Sequence, residues 1–436
     1  MRSIAIGLLG AGNVGCGVVR ILQDNQESIA RRVGARIAIK RVLLRHPGAR
    51  RPLELPVEWK TTDPAEIVDD PEISVVVEVL GGLEPARSLV LRALANGKHV
   101  VSANKALLGT HGKELFGEAA RRGVSIHFEA AVAGGIPILR SLREGLASDR
   151  IEAITGIVNG TSNFILDAMT RTGASYESAL LDAQAAGFAE ADPAMDVDGV
   201  DAAQKLALLG LVAFGLRVDP TQIPTEGITR IERIDVQAAG ALGCVIKSIA
   251  HAELVDGHLR ARVHPVLVPH LHVLAGVHGS YNAVLVHSAA LGRSLYYGRG
   301  AGMMPTGVSV VSDLVEVCRA VVAFADRPPP RQHETAIADV VPIPTDDERH
   351  ENYIRVRVPN LPGVLAKVAA ALGDHGVSIK RVNQDPIAPQ LPVDMVLVTE
   401  AIEDARLRGA LAAIDALDTT LSPAMRLRIL PPDPLD

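Results

Sequence analysis

The sequence predicts an α/β fold in three parts: an open parallel sheet flanked by helices, a mixed α+β segment, and a C-terminal βαββαβ module. Three observations carry this. Residues 1–130 alternate short β-branched runs with amphipathic stretches, the pattern of successive βαβ units. Between 131 and 303 that alternation is lost and strands and helices come in mixed order. A proline-rich, charged linker at 326–350 then separates this body from residues 351–436, whose hydrophobic period switches between 2 and 3.6.

The first part opens with a buried strand at Ile4–Leu9, a helix at Asn13–Asp24 and a strand at Arg36–Leu44. A strand at Val75–Leu80, a helix at Pro85–Asn96 and a strand at His99–Ser102 follow. In the second part, Ile151–Val158, Val263–Val268 and Ala283–His287 read as strands, and Ser175–Ala186 and Val200–Phe214 as helices. Met304–Ala325 reads as a long apolar helix with Pro305 near its start, expected to return and pack on the first part. The last module runs Tyr353–Val358, Gly363–His375, Ser378–Asn383, Val393–Thr399, Ala405–Ile414 and Arg426–Ile429.

Composition narrows the class. Lys plus Arg is 44 and Asp plus Glu 50 in 436 residues, so the formal charge of −6 gives no global pull toward nucleic acid or acidic membrane. With 48% hydrophobic and 22% charged residues the chain is a packed globular protein, and only 3% aromatic content leaves its core to Ala, Val, Leu and Ile. Cys16, Cys244 and Cys318 form no CxxC pair, which excludes a sequence-readable zinc or disulfide framework and fits a reducing cytoplasm. The opening MRSIAIGLLGAGNVG is too short and glycine-broken for a signal peptide, and no run of about 18 apolar residues is present.

Gly10-Ala11-Gly12-Asn13-Val14-Gly15 sits between the first strand and the first helix. Glycines there permit a tight turn and close approach of a pyrophosphate to the helix N-terminus, so a Rossmann-type dinucleotide domain is expected. No acid lies between Ala35 and Leu53 to bind a ribose 2′-hydroxyl, and the second strand ends at Arg45. That favours a 2′-phosphate and NADP(H), with NAD(H) possible; the alternative is a solvated basic loop with Arg50 and Arg51. Lys105 follows a strand end, where ligands sit in such sheets, and either contacts cofactor or carbonyl or is an ordinary exposed lysine.

Between Gly187 and Lys205 the chain crowds Glu190, Asp192, Asp196 and Asp198 ahead of Asp201 and Lys205, which lie on one helix face. So many carboxylates call for a cationic partner: a substrate ammonium, a metal ion, or water alone on a solvated loop. With an ammonium bound, Lys205 would exchange a proton with a hydroxyl or carbonyl. Seven of the 14 histidines fall between His251 and His287 without metal-site spacing; His270 and His272, read as strand residues facing one way, are expected to be solvated or core-satisfied.

Together these segments resemble the homoserine dehydrogenase family over most of the chain. The resemblance runs through GLLGAGNVG, SANKALL, EAAVAGGIPILRSL, GIVNGTSNFIL, the stretch from Ala183 to Lys205, and GRGAGMMPTGVSVVSD. It implies NAD(P)-dependent interconversion of L-homoserine and L-aspartate 4-semialdehyde in threonine, methionine and isoleucine biosynthesis. Lys205 would be the general acid/base and Lys105 its helper near cofactor and carbonyl. Glu190 and Asp201 would bind substrate with Asp196 in support, and Gly187, Glu190 and Gly302 would border the cofactor. A structural monovalent cation, Na+ or K+, would lie at Glu129 and the carbonyls of Val132, Gly134 and Ile136. The C-terminal module, with VPNLPGVL at its strand-to-helix turn, resembles an ACT regulatory domain. The implied effector is L-threonine, the alternative role being oligomerisation alone.

The expected organisation is therefore a Rossmann domain at 1–130 completed by a returning helix at about 304–325, a catalytic and dimerisation domain at 131–303, the linker at 326–350, and an ACT domain at 351–436. A homodimer or homotetramer is implied. No aspartate-kinase segment precedes Ile4, so the chain reads as monofunctional. Removal of residues 350–436 is expected to abolish threonine inhibition and spare the chemistry. A non-catalytic sensor of the same fold, or an oxidoreductase for another small amino-acid-like substrate, are the competing readings.

Overall fold

In a computed structural model, the structure describes residues 2–323, 338–384 and 391–432. The chain divides into two compact units: 1–154 with 202–223 and 282–341, and 155–201 with 224–281 and 342–436.

In the first unit six strands form one sheet: β1 (Ser3–Leu9), β2 (Arg36–Leu43), β3 (Lys60–Thr61), β4 (Ile73–Glu78), β5 (His99–Ser102) and β6 (Ile126–His127). Their order is β3-β2-β1-β4-β5-β6 and every pairing is parallel, which is the Rossmann arrangement. The alternation of apolar runs and helical stretches produces it, because parallel neighbours need crossover helices and bury both faces of the sheet. Reversal of strand order beside β1 and β4 opens a crevice beyond the strands' carboxyl ends.

The helix Met303–Ala323 returns to this sheet, as its apolar run predicts, and packs on the helix Asn13–Asp24. The last two residues of its expected span lie outside the described residues, as do positions 326–337 of the expected linker. The contact with Asn13–Asp24 is unusually close. A Cβ on Gly17 would lie 2.1 Å from the Met303 carbonyl oxygen, and one on Gly307 2.9 Å from the Gly17 carbonyl carbon. Val18, Val19, Ile21, Val310, Leu314 and Val317 then close the core behind them.

The second unit is built on β7 (Cys244–Val255) and β8 (His258–Pro269), an antiparallel hairpin turned by Asp256 and Gly257. The C-terminal module adds β9 (Arg349–Val358), β10 (Ile379–Gln384), β11 (Val393–Thr399) and β12 (Met425–Ile429), with helices Val364–Asp374 and Asp404–Asp415. This is the expected βαββαβ order, although β9 begins two residues inside the expected linker. Within it β12 pairs β9, β9 pairs β11 and β11 pairs β10, all antiparallel.

The module is not a separate bead. Strand β12 also pairs in parallel with β8, through Val266–Arg428 and Leu267–Ile429. Tyr353, Val396, Met425 and Leu427 share one buried cluster with Ile165, Val236, Ile246 and Leu267. Removing residues 350–436 would strip β12 from β8 and open that cluster, so a truncation alters the packing of the second unit as well as removing the module.

One further expectation changes. His270 and His272 lie in the turn after β8 rather than in a strand; His270 is exposed, and buried His272 accepts a hydrogen bond from the Leu274 N–H at 3.1 Å. Among the described residues no helix is long and apolar enough to cross a membrane.

Candidate active site

The turn after β1 has a shape that only glycine permits. Gly10 has φ +106°, and a Cβ on Gly15 would stand 2.6 Å from the Gly10 carbonyl oxygen. Gly12 is exposed with open space above its α-carbon, and it starts the helix Asn13–Asp24 without a side-chain cap. The first N–H groups of that helix are left to a ligand or water, and the helix dipole favours an anion there. Ala11 and Gly15 are buried beneath the turn while Asn13 is exposed and Val14 half-buried. These features fit a dinucleotide pyrophosphate.

Arg45 is exposed just past the end of β2. The loop after it is tied by Arg51, whose guanidinium donates to the carbonyls of His46 at 2.5 Å, Pro47 at 3.0 Å and Ala49 at 2.8 Å. Arg51 therefore serves the loop's own backbone, and Arg45 is placed differently.

Lys105 is half-buried as the first residue of the helix Lys105–Arg122, whose N-cap Asn104 accepts from the Leu107 N–H at 3.1 Å. A wholly buried carboxylate orders this corner. Glu78, at the end of β4, accepts from the Ser102 hydroxyl at 2.6 Å and the Leu80 N–H at 2.9 Å, and Asn104 also donates to the Gly82 carbonyl at 2.7 Å. Burial pushes the Glu78 carboxyl up, and the hydrogen bonds from Ser102 and Leu80 work against that. Two strand ends and the start of the lysine helix are thus joined through one side chain.

In the second unit, Asn159 stands at the N-cap of the helix Gly160–Thr172 and is 5% exposed. Its Nδ2 donates to Asp196 Oδ1 at 2.7 Å and to Asp201 Oδ2 at 2.8 Å, and its Oδ1 accepts from the Ser162 N–H at 2.8 Å. The same segment holds the acidic stretch by its backbone: the Thr161 hydroxyl donates to the Phe188 carbonyl at 2.7 Å and the Ser162 hydroxyl to the Asp196 carbonyl at 2.9 Å. Asp201 is buried, Asp196 half-buried, and Glu190 exposed in the irregular stretch after Gly187, whose φ is +75°. Asp201 and half-buried Lys205 lie one turn apart on the helix Val200–Phe214. Gly302, exposed with φ +125°, precedes the helix Met303–Ala323.

Glu129 is buried, and its two carboxylate oxygens accept from the N–H groups of Leu139 and Arg140, each at 2.8 Å. Ala133 and Gly134 take successive left-handed conformations, φ +50° and +49°, and the Ser309 hydroxyl donates to the Gly134 carbonyl at 2.6 Å. Each of these oxygens keeps a further lone pair, so an all-oxygen set of carbonyls and one carboxylate suits a hard monovalent cation. The side chains of His127, Asp313 and Glu316 converge. There Arg140 already donates to Glu316 at 2.6 Å and stands 3.6 Å from Asp313 Oδ1, so that cluster has its cation in a side chain.

Sequence reading missed Asn159, Glu78 and Asn104. The carboxylates that Asn159 joins are 37 and 42 residues away along the chain.

A Rossmann sheet with its glycine turn, an acid-and-lysine helix and a C-terminal βαββαβ module define first a class: an NAD(P)-dependent oxidoreductase acting on a CH–OH group. Comparison with known families narrows it. The homoserine dehydrogenase model matches residues 137–315, that of the homoserine dehydrogenase NAD-binding domain 10–129, and that of the ACT domain 352–419. The Pseudomonas aeruginosa homoserine dehydrogenase is 42% identical over 98% of this chain and 99% of its own. The crystal structure of a homoserine dehydrogenase from Thiobacillus denitrificans superposes with a TM-score of 0.90 at 43% identity, covering 99% of both chains. A hyperthermophilic archaeal homoserine dehydrogenase in complex with NADPH matches at 25% identity and a TM-score of 0.61, over 72% of this chain and 98% of its own. The chain belongs to the homoserine dehydrogenase family, whose enzymes act on L-homoserine and L-aspartate 4-semialdehyde.

Proposed function

We propose that this enzyme works with NADP(H) in preference to NAD(H), moves the substrate proton through Lys205, and is inhibited by L-threonine through its ACT domain. The arrangement of Asp201 and Lys205 on one helix, with Asp201 held by Asn159, supports the proton-transfer part of this reading.

Gly10, Ala11, Gly12, Asn13, Val14 and Gly15 hold the dinucleotide pyrophosphate, and Arg45 pairs the 2′-phosphate. NADPH in the archaeal relative supports that preference. Lys105, Gly187, Glu190 and Gly302 border the cofactor. The bound nicotinamide supplies hydride in the reductive direction and takes it in the oxidative one.

Glu190 and Asp201 pair the substrate ammonium, and Asp196 supports them. Lys205, as an ammonium, stabilises the negative charge growing on the aldehyde oxygen and donates a proton to it; in reverse its amine takes the hydroxyl proton. Lys105 assists from the carbonyl side. Glu129 and the carbonyls of Val132, Gly134 and Ile136 hold a monovalent cation in a structural role, stiffening the turn that leads into the catalytic segment. A homodimer or homotetramer in the cytoplasm, serving threonine, methionine and isoleucine synthesis, completes the reading, with neither nucleic acid nor membrane as partner.

Oxidation of NADPH with L-aspartate 4-semialdehyde, with and without L-threonine and then with NADH, tests it. Rapid NADPH oxidation slowed by threonine, with slower NADH oxidation, is the expected result. Turnover indifferent to threonine removes the effector reading, and equal rates with both cofactors remove the role of Arg45.

A further inference from the structure

We infer that Asn159 is a positioning residue of the active site: its side-chain amide is the neutral donor that fixes the two carboxylates presented to the substrate ammonium. The inference rests on the reading of Asp196 and Asp201 as substrate-binding groups and goes beyond it.

Asp196 and Asp201 are like charges, one half-buried and one buried, held close enough to share one nitrogen. Without a donor between them they repel, and the pair would spread apart. An amide Nδ2 carries two hydrogens and no charge, so one atom can satisfy an oxygen of each carboxylate while leaving their net charge for a cationic substrate group. A lysine or arginine in this place would cancel that charge; an aspartate has no hydrogen to give when ionised.

The amide is itself immobilised. Its oxygen caps the helix Gly160–Thr172 through the Ser162 N–H, which leaves the Nδ2 hydrogens one orientation. The hydroxyls of Thr161 and Ser162 grip the acidic stretch at the carbonyls of Phe188 and Asp196, so the segment 159–162 clamps that stretch at four places. Capping and clamping are separable roles, because serine and aspartate cap as well as asparagine does.

That separability gives the test. Asn159→Asp retains a capping oxygen but adds a third carboxylate; Asn159→Ser also caps, adds no charge and is too short to bridge the pair. Melting temperature, NADPH affinity, and KM and kcat for L-homoserine are measured for both, with Asp201→Asn as reference. The expected result is a KM raised by about tenfold or more in both variants, with NADPH affinity within about twofold of the parent enzyme. If Asn159→Asp fails to fold, Asn159→Ser alone decides. An unchanged KM in Asn159→Ser, beside a raised KM in Asp201→Asn, overturns the positioning role and leaves the substrate site standing. Loss of NADPH affinity and melting temperature in step with KM reduces Asn159 to a structural cap and overturns it too. An unchanged KM in Asp201→Asn removes the substrate-site reading, and this inference with it.

Discussion

Lys247 is 2% exposed on β7, and its ammonium donates to the Val277 carbonyl at 2.6 Å and to Asn163 Oδ1 at 3.2 Å. Burial pulls its pKa down from 10.5 to about 8, with the Asp167 charge opposing. Between these values the unfolded chain holds a proton that the native lysine has released, so this group makes stability rise with pH across that window. Its charged form costs the fold most below pH 8. Urea melts of the parent enzyme and Lys247→Met from pH 7.5 to 10.5 should therefore converge or cross by up to ~3 kcal/mol, a tenfold change in a proton-binding constant being worth ~1.4 kcal/mol. Parallel curves would remove Lys247 as a titrating group. With Lys205 as the proposed proton-transfer group, Lys205→Ala should lower kcat/KM for L-homoserine by about 10²–10⁴ with NADPH affinity retained. Lys205→Arg should fail as well, because a guanidinium does not give up its proton. Near-parent turnover in either variant would take the proton-transfer role away from this lysine.

Among the elements, the crossing of Asn13–Asp24 with Met303–Ala323 is the most sensitive to side-chain size. Gly17 meets the Met303 carbonyl and Gly307 meets the Gly17 backbone, so the two helices touch through main chain. Gly17→Ala must push them apart, and the same helix begins at the glycine turn of Gly10, Gly12 and Gly15. A loss of about 1–3 kcal/mol in stability is expected, with weaker NADPH binding read by fluorescence titration. An unaltered melting temperature would show that the helices can slide. Legibility in the sequence varies by element. Asn13–Asp24, His99–Ser102, Val200–Phe214 and Val393–Thr399 have the bounds their patterns predict. Strand β8 is twice as long as its apolar run, since Arg260 and Arg262 lie inside it. Glu348 pairs both arginines, and burial acting alone would raise its carboxyl; hydrogen bonds from His350 and Arg262 instead bring it to about 2. The helix Gly160–Thr172 is not legible because its first turn, Gly-Thr-Ser-Asn, reads as a polar turn, and Lys105–Arg122 is not because Gly109 and Gly112 interrupt it.

On the scale of the molecule, the ACT module is bound into the second unit by charge as well as by sheet pairing. Asp235, fully buried, accepts from the Tyr353 hydroxyl and Arg355 Nε, both at 2.8 Å, and Arg355 Nη1 reaches Glu232 at 2.7 Å. Arg355→Met would leave Asp235 buried with its guanidinium gone. A destabilisation of about 3–5 kcal/mol follows, read as a fall in the midpoint of denaturation. A variant with parent stability would mean that the module hangs on strand pairing alone. The same bonds make effector studies by truncation unsafe; point substitutions on the module's exposed surface are the appropriate instrument.

The sequence alone determined the nucleotide turn, the βαβ alternation, the βαββαβ module and the positions of Asp196, Asp201 and Lys205. Each of these is a local matter: a backbone conformation that needs glycine, a period that buries one face, or a spacing of four along a helix. Only the tertiary structure decided that Asn159 joins the two aspartates, that Glu78 organises the corner of Lys105, and that the C-terminal module shares a sheet and a core with the segment before it. Those depend on side chains meeting in space across separations of 26 residues for Glu78 and Asn104, 42 for Asn159 and Asp201, and 118 for Asp235 and Tyr353. A buried polar atom is satisfied by whichever partner the packing brings to it, and no periodicity in the chain names that partner.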